Sequence, residues 1–255
     1  SSSNALGYMI KNKLLSKVLI KAVLKTNNII KFDTKVKSFF RESKVVSLNL
    51  DNKVKIICNL LIGADGKNSF IRKMAGISFK KKCYQQKAFI FNVKHQRSHN
   101  YLATENFLEQ GPLASLPIIH NASNLYSSIV WSCNHPFYFK IMKFEKFEIE
   151  NILNKYLSDF YGKFKIISEI KNWDLSLIKA DKYFDHRLLL LGDSAHSIHP
   201  LAGQGFNLTL RGIENLYKIA KDNRVKRDEL GNFKNLRLYN NKQYIDSLSI
   251  IFATD

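Results

Sequence analysis

The sequence is poor in cysteine, with three residues in a chain of 255, namely Cys58, Cys83 and Cys133. Their number is odd and no two are spaced as a metal or redox pair, so neither a disulfide framework nor a zinc site is expected. No apolar stretch reaches roughly eighteen residues, and we therefore expect no transmembrane helix. These absences favour a protein of a reducing, cytoplasmic compartment.

The chain also lacks an initiator methionine, and no apolar signal region follows its first residues, Ser1–Ala5. This start predicts a processed end or the boundary of a fragment. Internal repeats and low-complexity segments are absent as well, which excludes repeat architectures.

Acidic residues are scarce beside basic ones, since 21 Asp and Glu against 40 Lys and Arg give a formal charge of +19. Such a charge is typical of proteins that bind nucleic acid or an anionic membrane surface. The lysines are scattered, however, and no nucleic-acid-binding motif accompanies them. We therefore expect no nucleic-acid partner, and a weak attraction to anionic lipid stays open.

Hydrophobic periodicity predicts a mixed α/β (α+β) fold in two parts. The predicted helices lie at residues 6–24, 69–75, 144–160, 207–221 and 236–252. Short β-rich runs lie between them, and they dominate the segment 83–180. This segment predicts an antiparallel-sheet domain that is inserted into another domain formed by residues 1–82 and 181–255.

The most informative stretch is Leu188–Asn207, which combines an apolar strand, a loop with Gly and Pro, and a helix. The strand ends at Gly192-Asp193, where a carboxylate can accept hydrogen bonds from ligand hydroxyls. Gly203 and Gly205 let the backbone approach a flat ligand, and the free N–H groups of the following helix suit an electron-rich carbonyl or an anionic ring. The plain alternative is a tight strand–loop–helix connection without a ligand.

This stretch resembles the second FAD-binding motif of the single-component flavoprotein aromatic hydroxylases, the family that includes p-hydroxybenzoate hydroxylase. Leu61–Arg72, in which Asp65-Gly66 is followed by Ser69 and Arg72, resembles the other internal signature of that family. The resemblance is closer to the ubiquinone-biosynthesis hydroxylases. Their pattern is similar at Leu6–Tyr8, Glu105–Phe107, Gly111–Pro117, Val130–Trp131 and His199–Gly205.

The resemblance implies a partial FAD-binding domain with an inserted substrate domain, with FAD as cofactor and NAD(P)H as reductant. It further implies that a lipophilic polyprenyl phenol is hydroxylated with O2. The implied cofactor-binding residues are Asp65, Gly66, Arg72, Gly192, Asp193, Pro200, Gly203, Gln204, Gly205 and Asn207. Asp193 would bind the ribityl chain, the loop from Pro200 to Gly205 would lie against the isoalloxazine, and Asp65, Gly66 and Arg72 would support the pyrophosphate side. Because the flavin carries the oxygen chemistry, no catalytic side chain and no metal are expected.

The sequence departs from the family at three places. Thr209 and Gly212 stand where the family usually has Gly and Asp, and the opening GxGxxG motif does not occur. We therefore expect a fragment that is inactive alone. The resemblance also implies a cytoplasmic enzyme that is peripheral on the inner membrane and contacts other ubiquinone-pathway proteins.

Three other functions remain open at this point. Gly192–His196 is similar to the nucleophile elbow of α/β-hydrolases around Ser194, but His196 replaces the required second Gly. His196 and His199 could form a metal pair, although a third ligand is not evident. A non-catalytic docking subunit of the ubiquinone pathway would also fit the missing motif.

Two groups of residues are assigned structural positions. His95 and His99 lie in a polar segment and are expected at the solvated surface. Trp131, Phe137, Tyr138 and Phe139 form an aromatic cluster that is favoured as sheet core, with a lipophilic pocket as the alternative.

Overall fold

A computed structural model describes residues 7–120, 122–198, 203–226 and 228–254 of the chain. Its helices are α1 (Asn12–Leu24), α2 (Phe70–Met74), α3 (His135–Ile141), α4 (Lys146–Tyr161), α5 (Gln204–Lys226) and α6 (Phe233–Thr254). Its strands are β1 (Val36–Arg41), β2 (Val46–Leu50), β3 (Lys55–Cys58), β4 (Leu61–Gly63), β5 (Phe79–His95), β6 (Thr104–Leu108), β7 (Gly111–His120), β8 (Ser123–Asn134), β9 (Phe164–Ile166), β10 (Lys171–Ala180), β11 (Phe184–Asp185), β12 (Leu188–Leu190) and β13 (His196–Ser197).

The chain divides into two compact units. The sheet unit comprises the segment up to Lys31 together with Gln85–Leu175, and the signature unit comprises Phe32–Tyr84 together with the chain from Ser176 onward. Two of the three breaks, after Tyr84 and after Leu175, lie near the boundaries expected after residues 82 and 180, and the third follows Lys31. The division into an FAD-binding part and a substrate part stays a prediction. The segment up to Lys31 groups with the sheet unit, although α1 buries none of its residues. Its predicted place in the FAD-binding part therefore stays a prediction.

In the sheet unit, β5, β8, β7 and β6 form an antiparallel sheet in that order, and β9 pairs with β5. Side chains alternate between the two faces of each strand. The register aligns Phe89 and Leu113 with Trp131, and all three are buried on the face that packs against α3 and α4. Burial of each such side chain stabilises the unit by about 1.5–3 kcal/mol.

The long helix α4 is well defined at both ends. The side chain of Glu148 accepts a hydrogen bond from the backbone N–H of Glu145 at 2.7 Å, which completes a capping box. Gly162 ends the helix with a φ of 70°, a left-handed conformation that glycine adopts at little cost. Between these ends, residues at helical spacing such as Leu153 and Leu157 are fully buried against the sheet.

The signature unit contains two three-stranded sheets, and β13 pairs antiparallel with Ile178 and Lys179 of β10. The first is an antiparallel meander of β1, β2 and β3, and the second has the order β11-β12-β4. In the second sheet, β12 and β4 run parallel, with Leu189 opposite Ile62. The three leucines of β12 are fully buried, as expected for a strand covered on both faces. Residues of α5 and α6, including Ile219 and Tyr239, complete the same core.

The mixed α/β fold predicted from the sequence is confirmed. Two elements differ from the prediction. Strand β5 is 17 residues long, whereas only short β-rich runs were expected in this segment. Helix α3 was not predicted, although Asn134 caps it by accepting a hydrogen bond from the N–H of Phe137 at 3.0 Å. Within the described ranges, no helix is long and apolar enough to cross a bilayer.

The prediction that His95 and His99 lie at the surface is wrong, because both are buried. The two ring nitrogens of His95 lie 2.6 Å from the carbonyl oxygen of Arg97 and 3.1 Å from the hydroxyl of Ser127. These hydrogen bonds replace the water that a polar segment would otherwise require. Burial lowers the pKa of both histidines.

The members of the aromatic cluster differ in burial, so neither sheet core nor pocket describes all of them. Trp131 is fully buried, which confirms it as sheet core, whereas Phe139 is exposed. Trp131 and Phe137 also line a cavity of about 520 Å³ next to α3 and α4.

Candidate functional site

The candidate site lies at the edge where the parallel strands β4 and β12 both end. The carboxyl ends of parallel strands meet at one edge of a sheet, where ligands of open α/β sheets commonly bind. The backbone N–H of Leu191 donates to the carbonyl oxygen of Gly63 at 2.9 Å. The hydroxyl of Ser194 donates to the same oxygen at 2.6 Å. The two sequence signatures are therefore joined directly by hydrogen bonds.

Asp65 organises the loop that follows β4. Its Oδ1 accepts a hydrogen bond from the hydroxyl of Ser69 at 2.6 Å, and its Oδ2 accepts one from the N–H of Ile71 at 3.0 Å. Ser69 in turn caps α2 by accepting from the N–H of Arg72 at 2.9 Å. Because both carboxylate oxygens are used at the start of α2, Asp65 shapes the loop. Gly66 has a φ of 84° with open space where a Cβ would stand.

Arg72 links the two loops and is 3% exposed. Its Nη1 donates to the carbonyl oxygen of Ser194 at 2.7 Å, and its Nη2 donates to that of Lys67 at 2.9 Å. The guanidinium carbon lies 4.4 Å from the ring centre of Phe79. Burial lowers the pKa of Arg72, and the charge of Asp65 opposes that change. Its guanidinium is thus committed to backbone carbonyls and stacking.

The turn Gly192–Ser194 presents Asp193 to solvent. Gly192 has a φ of 65°, and a Cβ there would lie 3.2 Å from the methyl carbon of Thr209. Asp193 is exposed, and its carboxylate has no hydrogen-bond partner among the described residues. Desolvation by the surrounding turn raises the pKa of Asp193, and the neighbouring Lys67 opposes that rise. An accessible acceptor at a strand end is what a hydroxyl-bearing ligand requires.

The start of α5 supplies the second half of the site. Gly203, which directly precedes the helix, has a φ of 64° with open space at its Cβ position. Gln204 begins α5, and a Cβ on Gly205 would lie 3.6 Å from Ile198. No acidic residue occupies the first turn, and Asn207 is exposed one turn into the helix. The free N–H groups there favour a partner rich in negative charge. Pro200 lies outside the described residues.

Thr209 and Gly212, two of the three departures from the family pattern, both face other parts of this unit. The hydroxyl of Thr209 donates to the carbonyl oxygen of Gly205 at 3.2 Å, and its methyl group faces Gly192. Gly212 faces the side chain of Gln243. Gln243 is fully buried, and its Nε2 lies 3.3 Å from Nε2 of His196. No local pattern indicates Gln243, because it lies 47 residues from His196 in the chain.

The hydrolase and metal interpretations find no support in this geometry. The Ser194 hydroxyl is fully buried, with its oxygen 2.6 Å from the carbonyl oxygen of Gly63 and 2.9 Å from that of Leu191, so it cannot reach a substrate. His196 is buried with its pKa lowered to about 4, chiefly by desolvation, and is neutral near pH 7. His199 lies outside the described residues. Among those that are described, no group of three His, Cys, Asp or Glu side chains could hold a metal ion.

These features together fit a flat cofactor that carries hydroxyl groups and an electron-rich ring. Two open glycine positions, Gly66 and Gly203, leave room for close backbone approach. Asp193 offers a free acceptor, and the start of α5 offers free N–H donors. Of the predicted residues, Asp65 and Arg72 build the loops, and the buried Gly192 shapes the turn. Asp193 and the start of α5 form the exposed part of the site.

Comparison with known proteins gives a family. A family model described as FAD binding domain matches residues 3–223. The chain is 32% identical over 210 residues to the ubiquinone hydroxylase UbiL of Rhodospirillum rubrum, covering 82% of this chain and 48% of that protein. It is 26% identical to the 3-demethoxyubiquinol 3-hydroxylase of Escherichia coli, covering 95% of this chain and 61% of that protein. The chain thus spans about half the length of the curated relatives it matches.

Solved structures show the same fold. PqsL of Pseudomonas aeruginosa in complex with 2-aminobenzoylacetate matches with a TM-score of 0.77 at 17% identity, over 94% of this chain and 66% of that one. The p-nitrophenol 4-monooxygenase PnpA of Pseudomonas putida matches with a TM-score of 0.71 at 16% identity, over 95% and 61%.

Proposed function

Since the chain belongs to the FAD binding domain family, we propose that it forms part of a flavin-dependent monooxygenase. The proposed reaction is hydroxylation of a polyprenyl phenol in ubiquinone biosynthesis, with NAD(P)H as reductant and O2 as oxidant. The names of the relatives from Rhodospirillum rubrum and Escherichia coli support this pathway. When bound, FAD supplies the electron transfer and oxygen activation that ring hydroxylation needs.

The observation that carries the proposal is the exposed carboxylate of Asp193 beside the start of α5. Asp193 would accept hydrogen bonds from the ribityl hydroxyls of FAD. The N–H groups of Gly203, Gln204 and Gly205 would donate to the pyrimidine side of the isoalloxazine, where negative charge collects on reduction. The chain thus binds and orients the flavin, and no described side chain is assigned a proton transfer.

The loops that carry these groups are held by buried contacts. Arg72 ties the Lys67 and Ser194 carbonyl oxygens together, and Ser194 joins both strand ends. Such a supporting layer keeps functional groups within the small tolerances that cofactor chemistry requires. Asp65 therefore acts on the site through α2 and Arg72, and we assign it no direct contact with the pyrophosphate.

A lipophilic substrate is supported by the second face of the sheet in the sheet unit. Ile90, Val130 and Ala114 form one cross-strand row on this face, and Leu116 follows on β7. All four are half-buried, whereas their neighbours on the opposite face are fully buried. These partly open apolar side chains suit a polyprenyl chain, and the polar Asn92 and Ser128 lie in the row of Leu116 on the same face.

The cellular location of the protein is also part of the proposal. We place the complete gene product in the cytoplasm and peripherally on the inner membrane, because polyprenyl phenols dissolve in the bilayer. The formal charge of +19 supports attraction to anionic lipid, since each basic residue near such a surface contributes about 1 kcal/mol. Contacts with other ubiquinone-pathway proteins belong to the same proposal.

The test is the flavin content and activity of the complete gene product. The purified protein, supplied with FAD, is incubated with NADH or NADPH, O2 and a short-chain polyprenyl phenol. We expect bound FAD and a product that has gained one oxygen atom, measured by mass spectrometry. NAD(P)H consumption without that product would overturn the hydroxylase assignment. Failure to bind FAD at all would overturn the whole proposal in favour of a docking subunit.

A further inference from the structure

We propose that Gln243 is a positioning residue that fixes β13 against the first turns of α5, and that Gly212 exists to make room for it. The inference rests on the proposed function, because the start of α5 is the part of the site assigned to the isoalloxazine. It concerns a residue on α6, which lies outside both sequence signatures.

The amide of Gln243 joins two elements that both lie far from it in the sequence, by 35 and 47 residues. Its Nε2 donates to the carbonyl oxygen of Leu208 on α5 at 3.1 Å. The same nitrogen lies 3.3 Å from Nε2 of His196 on β13. A primary amide carries two hydrogens, so it can serve both acceptors at once, provided that His196 Nε2 carries no proton. This arrangement requires neutral His196 with its proton on Nδ1.

The other end of the amide is occupied as well. Oε1 of Gln243 accepts a hydrogen bond from Nδ2 of Asn215 at 3.5 Å. The side chain is fully buried, so each of these groups would be costly to leave without a partner. A glutamate in the same place would have the same shape but could not donate to Leu208 or to His196. Replacement by glutamate therefore separates hydrogen bonding from packing.

Gly212 provides the space for this amide. A Cβ at position 212 would lie 3.2 Å from both Cδ and Oε1 of Gln243, and 3.3 Å from Nε2. These distances are shorter than ordinary contacts, so an alanine would push the amide by a few tenths of an ångström. Gly212 lies inside α5, where alanine would otherwise stabilise the helix. Since glycine makes the helix less stable here, its presence indicates that the position of Gln243 matters.

The link to the cofactor follows from where the two acceptors lie. His196 comes two residues after Ser194, and Leu208 comes three residues after Gly205. Gln243 thereby holds the turn that presents Asp193 and the start of α5 in one arrangement. Preorganised groups bind a ligand more tightly, because their ordering cost is met before binding.

The experiment compares Gln243→Glu with Asn241→Asp in the complete gene product. Asn241 is exposed on the same helix, so its variant makes the same chemical change without the buried contacts. FAD affinity is measured by fluorescence titration, and amide hydrogen exchange is followed in β13 and the first two turns of α5. We expect about tenfold weaker FAD binding and faster exchange in both elements for Gln243→Glu only, as for the loss of one buried hydrogen bond.

A second variant, Gly212→Ala, keeps the proposal testable if Gln243→Glu does not fold. It is expected to weaken FAD binding and to speed exchange in β13, although its helix propensity is higher. The proposal is overturned if every one of these two variants that folds matches the Asn241→Asp control in FAD affinity and in hydrogen exchange. If the wild-type protein binds no FAD, the proposed function fails, and the exchange measurement still decides the role of Gln243.

Discussion

Arg72 donates from Nη1 to the carbonyl oxygen of Ser194 at 2.7 Å, across 122 residues of sequence. This hydrogen bond connects the loop after β4 with the turn that presents Asp193. Since Nη2 of the same guanidinium also holds the carbonyl oxygen of Lys67, one side chain fixes both loops. Asp193 is therefore held in position by contacts within the protein itself.

The first prediction concerns Arg72→Lys, which cannot reach both carbonyl oxygens with a planar fork. One buried carbonyl loses its donor, and we expect the free energy of unfolding to fall by about 2–3 kcal/mol. Denaturant unfolding measures the change. Arg224→Lys, at an exposed position of α5, is the matched control and should alter stability little. Equal stability of the two variants would show that the double contact of Arg72 is not needed.

The second prediction concerns Gly192→Ala and its contact with Thr209. The φ of 65° strains any other residue, and the added Cβ would also press on the Thr209 methyl at 3.2 Å. Gly76→Ala is the matched control, because Gly76 has a φ of 67° with nothing within 4 Å of its Cβ position. We expect about 1 kcal/mol of destabilisation for the control and more for Gly192→Ala.

A double variant tests the contact itself. Thr209→Ala removes the atoms nearest to the new Cβ, so Gly192→Ala combined with Thr209→Ala should cost no more than Gly76→Ala. The comparison is made by thermal unfolding of the wild-type protein, Gly192→Ala, Gly76→Ala and the double variant. A double variant as unstable as Gly192→Ala alone would show that Thr209 is not the obstacle.

The third prediction is a pH dependence that arises from His196. Its folded-state pKa is about 4, below the value of about 6.5 in an unfolded chain, so the unfolded state binds the proton more readily. This contribution to stability is complete above pH 6.5 and is lost as the pH falls towards 4, with a limit of about 3 kcal/mol. The charged groups around it are Arg211 and Asp246, and the ring of Tyr183 packs against it.

His196→Asn isolates this contribution, because the buried His95 and His99 have lowered pKa values that act in the same direction. The free energy of unfolding, measured between pH 7 and pH 4.5, should fall less steeply in the variant than in the wild-type protein. Identical slopes would mean that His196 does not titrate between the folded and unfolded states.

The parts of the site that the sequence could predict are local. The apolar run of β12, the following Gly192-Asp193 and the glycines before α5 each have a signal within a few neighbouring residues. Periodicity and turn chemistry are properties of short windows, so these assignments needed no tertiary information. Asp65 and Ser69 differ, because the resemblance implied support of the pyrophosphate for Asp65, whereas the structure shows both residues holding the start of α2.

The parts that could not be predicted depend on contacts across the chain. The Ser194 hydroxyl meets the carbonyl oxygen of Gly63 over 131 residues, and Gln243 meets His196 over 47. His95 and His99 were assigned to the surface because the sequence around them is polar, and Ser127, a partner of His95, lies 32 residues away in the chain. Helix α3 did have a local signal, the Asn134-His135-Pro136 start, which the search for apolar periodicity passed over.

The most direct test of the account is the affinity of the complete gene product for FAD with Asp193→Asn. Asp222→Asn, an exposed change on α5, serves as the control. Replacing the carboxylate weakens charge-assisted hydrogen bonds to ribityl hydroxyls, and we expect the Kd for FAD to rise about tenfold or more. The control should bind FAD like the wild-type protein. Equal affinity of Asp193→Asn and Asp222→Asn would contradict the assignment of this site to the flavin.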